Sequence, residues 1–375
     1  MHIAVNARLL LPHRIEGISR FAEEVLRRMA AQHPEAQFTC FFDRPYDPRF
    51  VFSGQIRPVV VPPQARHPLL WYAWFHLQLP RLLDALRPDL FFSPEGYLSG
   101  WRGGPQVPVF HDLAFEHYPE HLKPSHAWYF RHFSPRYARQ AARILTVSEF
   151  TRQDLAARYG VDPGRIGVVG NGASAGFRPL AAAAQEAVRA RWTQGAPYFL
   201  FVGTVHPRKN IETLLAAFDR FKTEQESPVQ LLLAGRQGWN YSGALRAYES
   251  MQHRGAVRFT GYLSEADLRE VYGGALALCY LPWLEGFGIP VLEAFDAEIP
   301  VLCSDRSAIP EVAGDAALLA SPGDAGAIAA AMQRLWTDAA LRASLVARGR
   351  ERRLEFSWDR TASKVWDGLM QALQP

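Results

Sequence analysis

The sequence predicts an α/β protein built from two doubly wound domains in tandem. Short apolar runs of strand length alternate with amphipathic helical segments from end to end, the pattern of βαβ units around parallel sheets covered on both faces. The alternation occurs twice, on either side of Phe177–Gln194, a segment that holds Pro179 and an alanine run but no strand pattern. A chain of 375 residues also exceeds a single domain at about 150 residues apiece.

Strands are expected in the first half at His2–Asn6, Gln37–Phe42, Pro58–Val61, Asp89–Ser93, Val107–Phe110, Arg143–Val147 and Ile166–Val169. Helical periodicity fills Ser19–Ala31, Leu69–Leu86, Ser125–Gln140 and Glu149–Tyr159 between them. Phe177–Gln194 then reads as a hinge. The second half places strands at Tyr198–Val202, Gln230–Ala234, Val257–Thr260, Leu276–Tyr280, Val301–Ser304 and Ala317–Ala320. Its helices are expected at Ile211–Phe221, Gly243–His253, Glu265–Tyr272, Ile289–Ala297, Ala325–Trp336 and Ala339–Glu355. Phe356-Ser357-Trp358 is a stop before a last helix, Thr361–Leu373, which either pads the second domain or returns to the first. The domains are therefore 1–180 and 181–355, with 356–375 as a terminal helix.

Composition excludes several classes. Hydrophobic residues make up 48% and charged residues 21%, ordinary for a globular chain, so disorder is excluded. The net charge of +4 falls short of a nucleic-acid-binding signature and suits a protein that handles small polyanions or leans on an anionic surface. No run of 18 apolar residues suggests a membrane span, and Met1–Asn6 reads as a first strand rather than a signal peptide. The three cysteines, Cys40, Cys279 and Cys303, lie in apolar runs without metal-ligand spacing. Reduced thiols and a cytoplasmic location are expected.

Three stretches carry chemistry. In Glu285-Gly286-Phe287-Gly288-Ile289-Pro290-Val291-Leu292-Glu293, a strand leads through two glycines into a helix with proline in its first turn. The free amides of a helix start suit a phosphate, and Glu285 and Glu293 are placed to meet vicinal hydroxyls of a sugar or ribose. A capped core helix with solvent-facing glutamates is the plainer alternative. In Phe201-Val202-Gly203-Thr204-Val205-His206-Pro207-Arg208-Lys209-Asn210, a strand ends in glycine and a basic pair precedes a helix. Arg208 and Lys209 can neutralise a diphosphate, and Gly203 permits close backbone approach; a solvated loop is the alternative. His111, with Asp112, follows the strand Val107–Phe110, where a histidine is either a satisfied core residue or a functional one.

Together these stretches resemble the family-4 retaining glycosyltransferases of the GT-B fold, over nearly the whole chain. The likeness extends to Thr146-Val147-Ser148-Glu149-Phe150-Thr151, Asn171-Gly172, Pro310-Glu311-Val312-Ala313-Gly314 and Phe356-Ser357-Trp358. Bacterial surface-polysaccharide transferases, often mannosyltransferases, look nearest. The resemblance implies two Rossmann-like domains facing each other across an inter-domain cleft, the first for the acceptor and the second for a nucleotide-sugar donor. It implies that Arg208 and Lys209 hold the donor diphosphate, that Glu293 binds the ribose, and that Glu285 faces the donor sugar. Gly203 and the backbone around Phe287, Gly288, Ile289, Val291 and Leu292 would line sugar and phosphate. His111 would lie at the reaction centre, Gly17 near phosphate and acceptor, and Tyr262 and Leu263 near the base.

The implied activity is retaining hexosyl transfer, with mannose from GDP-mannose the best guess, to a glycan or lipid-linked acceptor. The implied mechanism is a front-face displacement, with Glu285 as nucleophile the lesser alternative. No cofactor or metal is expected, and no aspartate-x-aspartate motif is present. A nucleotide-sugar epimerase on the same fold and a noncatalytic nucleotide-sugar-binding protein are the competing functions. The aromatic segment Pro68–Leu86 is a candidate for peripheral contact with the inner face of the cytoplasmic membrane; packing on the sheet or burial in a dimer are its alternatives. Two departures stand out. Glu16 precedes Gly17 where relatives often carry a second glycine, and Glu298 stands where relatives end a helix with glycine.

Overall fold

The computed structural model describes residues 1–11, 17–174, 176–236, 238 and 241–374. Glu16 lies outside the described residues. The chain divides into two units, one of Met1–Gly172 with Ser357–Pro375, the other of Ala173–Phe356.

In the first unit seven parallel strands, β1 (His2–Asn6), β2 (Gln37–Phe42), β3 (Ile56–Val60), β4 (Leu90–Ser93), β5 (Gln106–Phe110), β6 (Ile144–Thr146) and β7 (Ile166–Val168), line up in the order 3-2-1-4-5-6-7. The side chains of β1, β2, β4, β5 and β6 are buried almost throughout, as expected of strands covered on both faces, while the edge strands β3 and β7 are only partly buried. The strand order reverses between β1 and β4, where Ile3 pairs with Leu90. The second unit repeats the plan with β8 (Tyr198–Val202), β9 (Gln230–Ala234), β10 (Val257–Gly261), β11 (Ala277–Tyr280), β12 (Val301–Ser304) and β13 (Leu318–Ala320), ordered 10-9-8-11-12-13. Its reversal falls between β8 and β11. In such sheets ligands gather beyond the carboxyl ends of the strands at the reversal. The fold class read from strand–helix alternation is the one observed.

Three segments differ from expectation. Phe177–Gln194 is no hinge: Ala182–Thr193 is a helix of the second unit, with Val188 and Thr193 buried, and Phe177 packs edge-on against Tyr272. Alanine is the strongest helix former, so the run that looked like a linker propagates a helix. The units part at Gly172, eight residues before the boundary placed at 180/181.

Leu69–Leu86 is not one α-helix. It runs as Pro68–Tyr72, a π-turn Ala73–Gln78 and a helix Leu79–Leu86. Pro80 has no amide to give and its ring crowds the preceding turn, and the ladder widens just before it. Trp71, Trp74 and Phe75 are buried on this segment, while Leu69 and Tyr72 are exposed. Gly17, which precedes the expected helix Ser19–Ala31, is the first residue of the helix Gly17–Gln32.

The terminal helix, Trp358–Leu373, is capped by Ser357, whose hydroxyl accepts from the Arg360 amide. It packs on the helix Gly17–Gln32 and against β4, β5 and β6. Trp366 stacks on His33 at 3.5 Å, and Trp358 meets Phe21 edge-on. The thiols of Cys40, Cys279 and Cys303 are free and buried, and burial pushes Cys40 up to about 12.

Candidate functional site

At the reversal of the second sheet, the loops after β8 and β11 meet. The β8 loop contains a 3-10 turn, Pro207–Lys209, capped by the His206 ring, which accepts from the Arg208 amide at 3.2 Å. Asn210 closes the turn in the left-handed region, its amide held by the Leu281 and Pro322 carbonyls. This anchoring presents both cations to the β11 loop. Arg208 donates to Glu285 Oε1 at 2.8 Å and to the Leu284 carbonyl at 2.9 Å. Lys209 donates to the same carboxylate oxygen, and to the Tyr280 hydroxyl at 2.7 Å.

Glu285 is a largely buried carboxylate between two cations. Burial alone would raise its pKa; Arg208 and then Lys209 outweigh that and hold it below the usual carboxylate value. Burial pushes the Tyr280 hydroxyl well above its ordinary range, with Glu285 adding to the rise. The Glu285 amide donates to Ser307 Oγ, tying the loop to the start of the next helical segment.

The chain then turns through Gly288, at φ 108°, into the helix Ile289–Asp296. A Cβ on Gly288 would lie 2.6 Å from Ile309 Cδ1, so both conformation and space call for glycine. Gly288 offers this helix no side-chain cap, which leaves first-turn amides available to an anion. Phe287, Val291 and Leu292 are buried and fix the turn, while Ile289 is half-buried. Glu293, one turn in, is 6% exposed. Its carboxylate accepts from Ser174 Oγ and from the Tyr272 hydroxyl, each at 2.9 Å. Gly203, at φ 147°, follows β8 directly, and its would-be Cβ lies 3.8 Å from Lys209 Cε.

The structure thus brings Gly203, Arg208, Lys209, Glu285 and the Gly288–Glu293 helix start to one strand reversal. Tyr262 and Leu263 lie elsewhere, past Gly261 on the edge strand β10, two strands and roughly 10 Å from β8. Tyr262 is 70% exposed. In the first unit, His111 follows β5 at that sheet's carboxyl end. Its Nε2 contacts the Pro94 carbonyl at 2.8 Å, and Phe21 packs edge-on against its ring at 5.1 Å. Burial lowers its pKa, partly offset by the Pro94 carbonyl, Asp112 and Glu95.

Residues 185–352 match the family described as glycosyl transferases group 1, and residues 15–176 match glycosyltransferase family 4. The chain is a GT-B glycosyltransferase. It is 29% identical over 372 residues to the O-antigen chain mannosyltransferase B of Escherichia coli, an alignment covering 95% of this chain and 96% of that one. Its fold is shared with the crystal structure of WaaG, a glycosyltransferase involved in lipopolysaccharide biosynthesis, at a TM-score of 0.75 and 15% identity over 98% and 99% of the two chains. The structure of Anabaena HepE in complex with UDP and glucose superposes with a TM-score of 0.74, 14% identity and the same coverages.

Around the charged centre of this glycosyltransferase stand residues that sequence reasoning passed over. Tyr280 was available to it, as the last residue of a buried strand at a strand reversal. Ser174, Tyr272 and Ser307 gave no signal, because each reaches the site from a segment with no motif of its own.

Proposed function

We propose that this glycosyltransferase moves a hexose, read as mannose from GDP-mannose, to a glycan or lipid-linked acceptor in bacterial surface-polysaccharide synthesis, with anomeric configuration retained. The observation that carries the donor reading is the convergence of Arg208 and Lys209 on Glu285 beside the uncapped start of the Ile289–Asp296 helix. The name of the Escherichia coli relative supports mannose and a surface glycan.

In this reading Arg208, Lys209 and the amides of Gly288 to Leu292 hold the donor diphosphate. Glu293 takes the ribose hydroxyls in place of the hydroxyls it holds here, Glu285 faces the sugar, and Tyr262 and Leu263 approach the base. When the bond between the anomeric carbon and the phosphate oxygen breaks, its electron pair leaves with the diphosphate. Fixed cations and amides stabilise that charge without rearranging. The acceptor oxygen bonds the anomeric carbon on the same face and gives its proton to the departing phosphate. His111 and Gly17 serve the reaction centre and acceptor side. Because the two cations supply the charge, no divalent metal or cofactor is needed, and transfer is expected to survive excess EDTA.

A second surface of the first unit fits a lipid-linked acceptor. Leu69, Leu70, Tyr72, Leu77 and Trp128 are exposed, and Tyr72 and Trp128 are joined through the ring of Phe133. Exposed Arg66, Arg131 and Arg136 flank them. Aromatic and aliphatic side chains ringed by arginine suit the interface of an anionic membrane, here the inner face of the cytoplasmic membrane. No helix among the described residues is long and apolar enough to cross a membrane. Flotation with vesicles containing phosphatidylglycerol, and its loss in Trp128→Ala/Tyr72→Ala, tests the contact.

Thermal-shift binding across GDP-, UDP-, ADP- and dTDP-sugars, followed by NMR of the transfer product, tests the reaction. A rise in stability with one donor and an α-linked product from an α-linked donor are expected. Glu293→Ala and Lys209→Ala should each weaken donor use in a folded protein. Wild-type donor kinetics in both would overturn the site assignment.

A further inference from the structure

The first sheet carries its own buried ion pair at its reversal. Asn6 ends β1 and Arg8 lies two residues on; Ser93 ends β4 and Glu95 lies two residues on. Arg8 is 7% exposed and Glu95 5%. Arg8 donates from Nε to Glu95 Oε1 at 3.0 Å and from Nη2 to Oε2 at 2.6 Å, a bidentate pair, and from Nη1 to the Ala65 carbonyl. Asn6 Nδ2 donates to Glu95 Oε1 at 2.7 Å and to Ser93 Oγ. The Ser93 hydroxyl donates to the Glu95 carbonyl, and the Tyr97 ring lies 5.2 Å from the guanidinium carbon.

Both carboxylate oxygens of Glu95 are thereby engaged, so the pair is built to hold something rather than to receive a ligand. A buried ion pair adds little stability over apolar packing of the same volume, which leaves its purpose to be found in geometry. Between Ser93 and Glu95 stands Pro94, whose carbonyl faces His111 Nε2 at 2.8 Å. A carbonyl only accepts, so Nε2 carries the proton and the neutral ring keeps its lone pair on Nδ1. No partner of Nδ1 occurs among the described residues. Phe21 fixes the ring from one side, and Thr151 Oγ1 donates to the His111 carbonyl.

We propose that Arg8 and Glu95 are positioning residues: they lock the Ser93–Glu95 turn so that the Pro94 carbonyl holds His111 in one orientation and one tautomer, with Nδ1 as its working nitrogen. This rests on the reading of His111 as a residue of the reaction centre. The tautomer itself is measurable without any transfer.

The test uses the full-length protein labelled with ¹⁵N-histidine. His111→Gln assigns the His111 signals among the 12 histidines, and Glu95→Gln, Arg8→Lys and the milder Ser93→Ala are compared with wild type. Wild-type His111 should show the Nε2-protonated pattern from pH 6 to 8. Glu95→Gln and Arg8→Lys should mix the two tautomers, and Glu95→Gln, which removes one of the two carboxylates facing His111, Asp112 and Glu95, should also lower its titration midpoint further. Both variants should lower kcat about tenfold with donor KM unchanged. Ser93→Ala should mix the tautomers partially, and it decides the question if the charge variants do not fold. A single Nε2-protonated tautomer in every folded variant would overturn the proposal and leave the pair a structural one. Full transfer activity in His111→Gln would instead overturn the role of His111, leaving the tautomer result to stand by itself.

Discussion

Arg208 and Lys209 meet on one oxygen of Glu285, so a single buried carboxylate organises both cations of the second unit. Its pKa is raised by burial and lowered more by Arg208 and Lys209, ending below the ordinary 4.5. A carboxylate with a depressed folded pKa contributes stability above its unfolded pKa, and loses it as pH falls through the folded value. Glu285→Gln leaves two cations without their anion and should cost about 2–3 kcal/mol at pH 7. That gap should shrink as the pH is taken below 4.5. Urea unfolding at pH 7 and at successively lower pH measures it, and a pH-independent gap would assign the loss to packing.

Gly235 and Gly203 touch backbone to backbone at the ends of β9 and β8. A Cβ on Gly235 would stand 1.9 Å from the Gly203 carbonyl oxygen, and Gly235 sits at φ 153°. Gly203, at φ 147°, would place its Cβ 3.3 Å from the Phe201 ring. Gly203→Ala should therefore cost the conformational strain, about 1–3 kcal/mol, with a small shift of the Phe201 ring. Gly235→Ala adds a collision with backbone and should melt at a clearly lower temperature. Equal melting temperatures would show that the β8 and β9 ends part freely.

The sequence made the strands and the donor-side motif legible because both rest on local signals. Buried strands of four to six apolar residues between glycine-rich loops can hardly be read otherwise, and Glu293 stands out by its spacing from Glu285. Its partner Ser174 is 119 residues away, and no periodicity reports such a meeting. The same holds for Arg8 and Glu95, 87 residues apart, each an ordinary charged residue until the sheet joins them. The alanine run misled because low complexity near a proline looks like a linker, while alanine propensity and burial of Val188 favour a helix. The π-turn before Pro80 was foreshadowed by the proline itself.

Glu298 shows a departure that sequence comparison made visible and structure explains. It adopts φ 56° just past the helix Ile289–Asp296, with Ile299 and its own amide bonded back to Ala294 and Phe295. Its side chain meets Arg350 at the surface, an exposed pair that contributes little. Glycine relieves the left-handed strain and alanine does not, so Glu298→Gly should be more stable than Glu298→Ala by about 1 kcal/mol. Paired denaturant titrations measure the order, and the reverse order would give the Arg350 contact the larger role.

Gly172 is where the first unit receives its terminal helix. A Cβ there would fall 2.4 Å from the Trp358 amide nitrogen and 2.5 Å from its ring, and neither can retreat while Ser357 caps the helix and Trp358 packs on Phe21. Gly172→Ala should push the helix start off the sheet and loosen Trp358–Leu373 as a block, because Trp366 on His33 and Arg28 on Asp359 depend on the same docking. Limited proteolysis should then cut within 357–375 much faster than in the wild type, with the second unit's cleavage pattern unchanged. Equal protection of this helix in both proteins would mean that backbone at Gly172 yields without disturbing it.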